Sequence, residues 1–225
     1  MLIYKSIYII PLLLLFAVLN DASSSKEKAV VNSDSYFPVN NKITLVYESS
    51  FGDSFTKYSK KGEFTVSSSE ADKFKYIQTL KINDDGVFVT ETYQFLKIFL
   101  FITKQATFTY GKPLLLFPIP LLPGMKWEWY GDEYSDGKTN KVKVSGIALD
   151  KEFVVTKAGT FDAIKLESIV ESSSNTKNTV TEWYVKGLGL IKAKILIEGG
   201  GLEGTLRDFL GYGNIDFELK EIRNQ

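Results

Sequence analysis

The chain has 225 residues, and 27 Lys plus Arg balance 27 Asp plus Glu, so its formal net charge is zero. Phosphate binding needs a concentration of cationic side chains, so this balance argues against nucleic acid as a partner. The sequence contains no His and no Cys. Their absence excludes catalysis by a histidine base or a thiol, zinc sites built from Cys, and stabilisation by disulfides.

The N-terminal residues have the pattern of a secretory signal peptide. Lys5 is the only charge before an apolar run from Ile7 to Leu19, and small polar residues follow the run. Pro11 interrupts this run, which is also short for a transmembrane helix. A cleaved signal peptide is therefore favoured over a membrane anchor.

We predict three segments: a signal peptide over 1–24, a disordered lead-in over 25–35, and a single β domain over 36–225. A lipid-modified N-terminus needs a cysteine at the cleavage point, and the chain has none. The protein is thus expected to be exported, either periplasmic or secreted, and not to be a lipoprotein. No transmembrane span is expected after cleavage.

Most of the remaining sequence alternates apolar and polar residues with the period of a β-strand. The turn signal Asn83-Asp84-Asp85-Gly86 lies between two such segments and predicts a β-hairpin. Turn signals recur at roughly ten-residue spacing, which is typical of an antiparallel sandwich or barrel. We expect little helix, with a short helical turn over Ser68 to Lys73 as the best candidate.

Two stretches depart from the alternation. Phe95 to Ile102 is apolar on both faces of a strand, and Pro113 to Pro123 is apolar and rich in proline. Three interpretations remain open: plain core packing, the lining of an apolar cavity that takes a lipid-like ligand, or an exposed patch that docks a partner or a membrane surface.

Catalytic chemistry would have to come from carboxylate pairs. The candidate pairs are Asp132 with Glu128 and Glu182 with Glu167, and Glu182 lies on a strand where its side chain is able to point inward. Acidic residues are common on wet strand faces, and no nucleophile elbow or phosphate-binding loop accompanies these pairs. We predict that the protein is not an enzyme and has neither a cofactor nor a metal site.

Two motifs carry a resemblance to a known family. They are Ala158-Gly159-Thr160-Phe161-Asp162-Ala163 and the segment Trp183 to Lys192, which reads WYVKGLGLIK. Together with Gly124, Trp127 and Trp129 they resemble a family of exported bacterial β proteins of unknown function. That family is similar in architecture to the lipoprotein-carrier fold of the LolA/LolB type.

The resemblance implies an all-β protein with a large, strongly curved antiparallel sheet that forms a half-barrel or incomplete barrel. It also implies an apolar concave face and, by analogy of fold, the carriage of lipid. The glycines explain the motifs without a ligand. Gly159 permits a tight turn, and Gly187 and Gly189 permit a bend or bulge before the next strand.

The predicted function is the binding of a hydrophobic or lipid-like ligand in the concave face of the sheet of an exported cell-envelope protein. The alternative is a non-enzymatic envelope module that binds a protein or a glycan through exposed aromatic and apolar surface. The candidate ligand-binding residues are all apolar and are Phe95, Ile98, Phe99, Phe101, Leu115, Phe117, Leu121, Trp127, Trp129 and Trp183.

Overall fold

The computed structural model describes residues 36–37, 43–99, 102–199 and 213–224. The predicted signal peptide and lead-in lie outside these residues. The described residues form twelve strands and contain no helix. They therefore include no helix that is long and apolar enough to cross a bilayer. The strands are β1 Ile43–Ser49, β2 Gly52–Lys61, β3 Phe64–Ala71, β4 Phe74–Asn83, β5 Gly86–Phe99, β6 Ile102–Pro118, β7 Lys126–Ser135, β8 Lys138–Thr156, β9 Gly159–Ser172, β10 Thr176–Val185, β11 Gly189–Gly199 and β12 Asn214–Asn224.

The twelve strands form one antiparallel sheet that closes into a barrel. Each strand pairs with its neighbours in sequence, and β1 pairs with β12 from Ile43 opposite Asn224 to Ser49 opposite Phe217. The prediction of an all-β antiparallel fold with little helix is confirmed. The prediction of a half-barrel or incomplete barrel is wrong, because the β1–β12 ladder joins the two edges that an open sheet would leave free.

The predicted helical turn over Ser68 to Lys73 is also wrong. The serines belong to β3, which pairs with β2 on one side and β4 on the other, and only Asp72 and Lys73 form a turn. A strand with a partner on each side satisfies its backbone through the ladder. This leaves no role for local helical hydrogen bonds at Ser68.

The predicted hairpin at Asn83 is confirmed, since Asn83 pairs with Gly86 at the end of the β4–β5 ladder. The Asn83 Oδ1 accepts the N–H groups of Asp85 at 3.0 Å and Gly86 at 3.1 Å. Glycine is required at 86 by a close approach: a Cβ there would lie 2.7 Å from the Phe117 carbonyl oxygen. β6 therefore leaves no space for a side chain at position 86.

The bend that we expected at Gly187 and Gly189 is confirmed. Both glycines have positive φ, 67° and 97°, and the Leu188 N–H donates to the Val185 carbonyl in the turn between β10 and β11. The register between these strands shifts where Trp183 and Tyr184 face β11. This bulge and the turn change the direction in which the chain enters β11.

Aromatic clusters lie toward both ends of the barrel. Phe37 stacks on Phe117 with ring centroids 5.2 Å apart, and Phe117 packs edge-on against Tyr184 at 5.3 Å. The other cluster begins at the β1–β2 turn, where Phe51 stacks on Phe74 at 5.3 Å. Phe117 and Tyr184 lie at the ends of even-numbered strands, whereas Phe74 lies at the start of one. Because even-numbered strands all run in the same direction, the two clusters lie at opposite ends of the barrel.

Two tryptophans of β7 lie flat against the inside of the barrel wall over glycines. A Cβ at Gly146 would lie 2.2 Å from the Trp127 ring, and a Cβ at Gly131 would lie 2.5 Å from the Trp129 ring. Gly146 is the cross-strand partner of Trp127. The glycines therefore provide the space that the two indole rings occupy.

Replacing Gly146 by Ala should destabilise the barrel, because the new methyl group would overlap the Trp127 ring. We expect the free energy of unfolding to fall by about 1–3 kcal/mol, the usual cost of overpacking. Urea unfolding followed by circular dichroism measures this. The cost should be smaller in a Trp127→Leu background, which removes the ring; equal cost in both backgrounds would show that the ring is not the cause.

Candidate functional site

The backbone ladder between β6 and β7 is short. These strands pair at only two positions, Thr109 with Tyr134 and Tyr110 with Glu133. Farther along, Leu114–Pro118 pairs with β5 alone, and Lys126–Asp132 pairs with β8 alone. The two strands remain adjacent, since a Cβ at Gly111 would lie 3.6 Å from the Asp132 Cβ. We call this stretch without a backbone ladder, between 111–118 and 126–132, the seam.

Trp129 bridges the seam with its side chain. Its indole Nε1–H donates to the Pro113 carbonyl oxygen at 3.0 Å, which joins β7 to β6 where the ladder is missing. The Lys112 ammonium lies 5.7 Å from the Trp129 ring centroid. The Tyr110 ring meets the same indole edge-on, with centroids 6.0 Å apart and an interplanar angle of 89°. The seam is thus held by side chains instead of a backbone ladder.

Glu133 is a buried carboxyl where the seam begins. It is 1% exposed, and its Oε2 has no hydrogen-bonding partner among the described residues. Burial raises the pKa of Glu133 to about 7, and a hydrogen bond with Asn140 acts in the opposite direction. The pKa of Tyr110 is also raised, mainly by burial and to a smaller extent by the nearby Glu133 charge. The Thr92 hydroxyl lies beside Tyr110 and acts in the opposite direction.

The inside of the barrel has one polar wall. On β3, Thr65, Ser67 and Ser69 are buried, whereas Phe64 and Val66 alternate with them on the outer, half-buried face. The polar residues of this wall lie on β2 to β5 and are Ser54, Thr56, Thr65, Ser67, Ser69, Gln78, Thr92 and Gln94. The same strands also bury apolar and aromatic side chains on this face, namely Tyr58, Phe74, Tyr76, Leu80, Val87 and Val89.

The opposite inner wall, from β8 to β12, is mainly apolar. Its buried members include Val142, Val144, Leu166, Val170, Val180, Ile195, Phe217 and Leu219. Alternation along each strand places these side chains inside the closed barrel. The interior is therefore amphipathic, with a polar side facing an apolar side.

Several buried polar atoms of the interior have no partner in the part of the chain that the structure describes. Both side-chain polar atoms of Gln78 are in this state, as are the Ser54 Oγ, the Thr65 Oγ1, the Asn178 Oδ1 and the Trp127 Nε1. Buried polar groups in proteins are nearly always hydrogen-bonded. Partners for these atoms must come from outside the described residues, for example as water or as polar groups of a ligand.

Glu182 is a second interior carboxyl. The Tyr184 hydroxyl donates to its Oε1 at 3.2 Å, and burial raises the pKa of Glu182 to about 8. Its candidate partner Glu167 lies on the outer face, paired with Lys165 at 2.7 Å. The second candidate pair is also outside, where Asp132 and Glu128 bind Lys141 and Lys143. The structure therefore brings neither pair together in a pocket.

Five of the predicted ligand-binding residues belong to β6, β7 and the connection between them. Phe117, Leu121, Trp127 and Trp129 are all buried. Leu115 is half-buried and is the cross-strand partner of Phe88. These five residues border the seam or lie directly beyond it.

The remaining predicted residues are elsewhere. Trp183 lies on the outer face of β10, where its Nε1–H donates to Glu152 and the Lys165 ammonium lies 5.8 Å from its ring centroid. Phe95 is half-buried on the outer face of β5. Phe101 and the side chains of Ile98 and Phe99 lie outside the described residues.

Sequence reasoning missed the polar wall and Glu133. On β3 the apolar residues Phe64 and Val66 were the natural core-facing set, yet the structure turns Thr65 and Ser67 inward. The only indication of an inward polar face in the sequence was the succession of small hydroxyl residues at alternate positions of β3. No group of three or more His, Cys, Asp or Glu that would hold a metal lies together among the described residues.

No family model and no curated protein matches the chain. The solved structures with detectable similarity include a candidate lipoprotein from Parabacteroides distasonis, with 12% identity, a TM-score of 0.42 and coverage of 84% of this chain and 98% of that chain. A candidate exported protein with YmcC-like fold from Bacteroides fragilis has 13% identity, a TM-score of 0.43 and the same coverage. The hypothetical lipoprotein YmcC from Escherichia coli has 9% identity, a TM-score of 0.38 and coverage of 89% and 99%. At these scores no family or function follows for this chain.

The buried carboxyl of Glu182 should make the protein less stable as pH rises. Its pKa is raised from 4.5 to about 8 in the fold, so between these values the folded state binds more protons than the unfolded state. Stability is then lost progressively over that window as pH rises. Urea unfolding over a pH series measures the slope.

Glu182→Gln should flatten the slope most clearly as pH approaches 8, because Glu133, with a pKa of about 7, is half titrated at pH 7 and contributes less to the slope above it. Glu167→Gln is the matched control, because this carboxyl is ion-paired on the outer face of the barrel. Parallel pH profiles for the wild type and Glu182→Gln would contradict the prediction.

Proposed function

We propose that the protein is an exported, non-catalytic binding protein that holds a lipid-like amphiphile inside its barrel. The observation that carries this proposal is the Gln78 side chain, which is fully buried on the polar wall and has no partner for either polar atom among the described residues. A buried amide without partners costs free energy that the fold does not recover. A ligand with a polar end would satisfy it.

The shape of the interior supports an amphiphile over a uniformly apolar ligand. An eight-stranded barrel is just wide enough for its own side chains or one small ligand, and the diameter grows with the number of strands. This barrel has twelve strands in its described part. An alkyl chain would lie along the apolar wall formed by residues such as Val144, Leu166 and Val180, while its polar end faced the opposite wall.

The seam supports a lateral route into the interior. The barrel ends are occupied by aromatic clusters around Phe37 and Phe51. At the seam no backbone ladder has to open, since the Trp129–Pro113 hydrogen bond spans it. Rotation of one indole ring is a smaller change than the separation of two paired strands.

Export is the part of the proposal that rests on sequence. The apolar run after Lys5 and the small residues that follow it have the order of a signal peptide. The absence of cysteine argues against a lipid anchor. In the envelope, such a protein would shield lipid-like molecules from water.

A second candidate function is an envelope interaction module, and the β8–β9 hairpin favours it. Phe153 is 81% exposed and Val155 is 71% exposed, and both lie on one face of β8 between Lys151 and Lys157. Beyond Ile147, β8 is paired with β9 only. Such an edge offers backbone groups and apolar side chains to an extended segment of a partner protein.

The amphiphile proposal is tested on protein purified from the cell envelope. Native mass spectrometry should show one lipid-like molecule per chain, and the delipidated protein should bind a dansyl-labelled fatty acid with a blue-shifted, enhanced emission. Ser67→Phe places a ring inside the barrel and should weaken probe binding at least about tenfold, which is 1.4 kcal/mol. The control Ser68→Phe, on the outer face of the same strand, should bind normally.

Folding of both variants is verified by circular dichroism and thermal unfolding. Two results would overturn the proposal: a wild type that neither co-purifies with an amphiphile nor binds the probe, or a folded Ser67→Phe variant with unchanged affinity. The second candidate is tested with a photo-crosslinking residue at position 153, compared with position 55 on the opposite side of the barrel. Specific crosslinks from position 153 to one protein would support it.

A further inference from the structure

We infer that the polar end of the ligand is a protonated amine, bound by Glu133, Tyr110 and Trp129 where the seam begins. This inference rests on the proposed function, because it assigns a headgroup to the molecule inside the barrel. The sequence predicts apolar ligand contact for Trp129 and assigns no role to Glu133 or Tyr110.

The three side chains converge for reasons of strand geometry. Trp129, Gly131 and Glu133 alternate along β7 and therefore share its inner face. Because Gly131 has no side chain, the Trp129 ring lies over it, within 2.5 Å of the place a Cβ would take, and so extends toward Glu133. Tyr110 is the cross-strand partner of Glu133 and meets the Trp129 ring edge-on.

This arrangement has the chemistry of an ammonium site. A buried carboxylate is costly unless a cation pairs with it, and the Glu133 Oε2 is without a partner in the described part of the chain. Two aromatic rings beside the carboxylate add the electron-rich faces that attract a cation. A protonated amine would also donate the charge-assisted hydrogen bond that Oε2 lacks.

The nearby lysines do not supply this cation. Lys141 is paired with Asp132, and Lys143 is paired with Glu128 at 3.0 Å, both on the outer face of the barrel. Lys112 approaches the Trp129 ring at 5.7 Å, and Glu133 has no ion pair within the described ranges.

The test compares three ligands of equal chain length: dodecylamine, dodecanol and dodecanoic acid. Each displaces the dansyl-labelled fatty acid from full-length protein below its micelle-forming concentration. The pH is held above the Glu133 pKa of about 7, where the amine is still protonated and both the acid and Glu133 are ionised. Dodecylamine should bind at least about tenfold more tightly than dodecanol. Dodecanoic acid should bind more weakly than dodecanol, because its carboxylate would face Glu133.

Glu133→Gln should abolish the preference for the amine over dodecanol. Asp132→Asn, the adjacent residue on the outer face, is the matched control and should keep the preference. If Glu133→Gln does not fold, Trp129→Phe and Tyr110→Leu provide the same readout, since each removes part of the aromatic surround.

The possible failures can be told apart. If all three ligands bind equally to the wild type, the headgroup inference is overturned while binding inside the barrel stands. If the amine preference survives in folded Glu133→Gln, the assigned site is wrong. If no ligand and no probe binds, the proposed function itself fails.

Discussion

The pairing of β1 with β12 is the interaction on which the rest of the structure depends. It converts the inner face of a curved sheet into an enclosed interior, because the ladder from Ile43 to Ser49 leaves no free edge there. Once the sheet is closed, alternation along each strand separates inside from outside for every residue. The polar wall, the apolar wall and the burial of Glu133 and Glu182 all follow from that separation.

The enclosed interior contains more polarity than packing requires. Ser67 and Gln78 occupy positions at which a larger apolar side chain would bury more surface, and Glu182 is held where its ionised form is disfavoured. Residues that lower stability in this way are expected at functional sites. Most of this polarity lies on β2 to β5, opposite a mainly apolar wall, and this arrangement suits a ligand that is itself two-sided.

The seam explains how such an interior remains accessible. Its two strands pair only at Thr109 and Tyr110, and an indole hydrogen bond takes the place of the missing ladder. The same indole packs over Gly131 and meets Tyr110, so the residue that bridges the seam also forms part of the proposed ammonium site. In the proposed function, access and recognition would both depend on Trp129.

The sequence by itself determined the strand-rich fold, the hairpin at Asn83 and the bend at Gly187 and Gly189, because these depend on local alternation and turn chemistry. It also excluded histidine and cysteine chemistry outright. Only the tertiary structure decided closure, since Ile43 and Asn224 meet across nearly the whole chain. It likewise decided which face of β3 is internal: a period of two identifies two faces, but which face is enclosed depends on how distant strands pair. For the same reason the encounter of Glu133 with Tyr110 and Trp129 was not readable from the sequence.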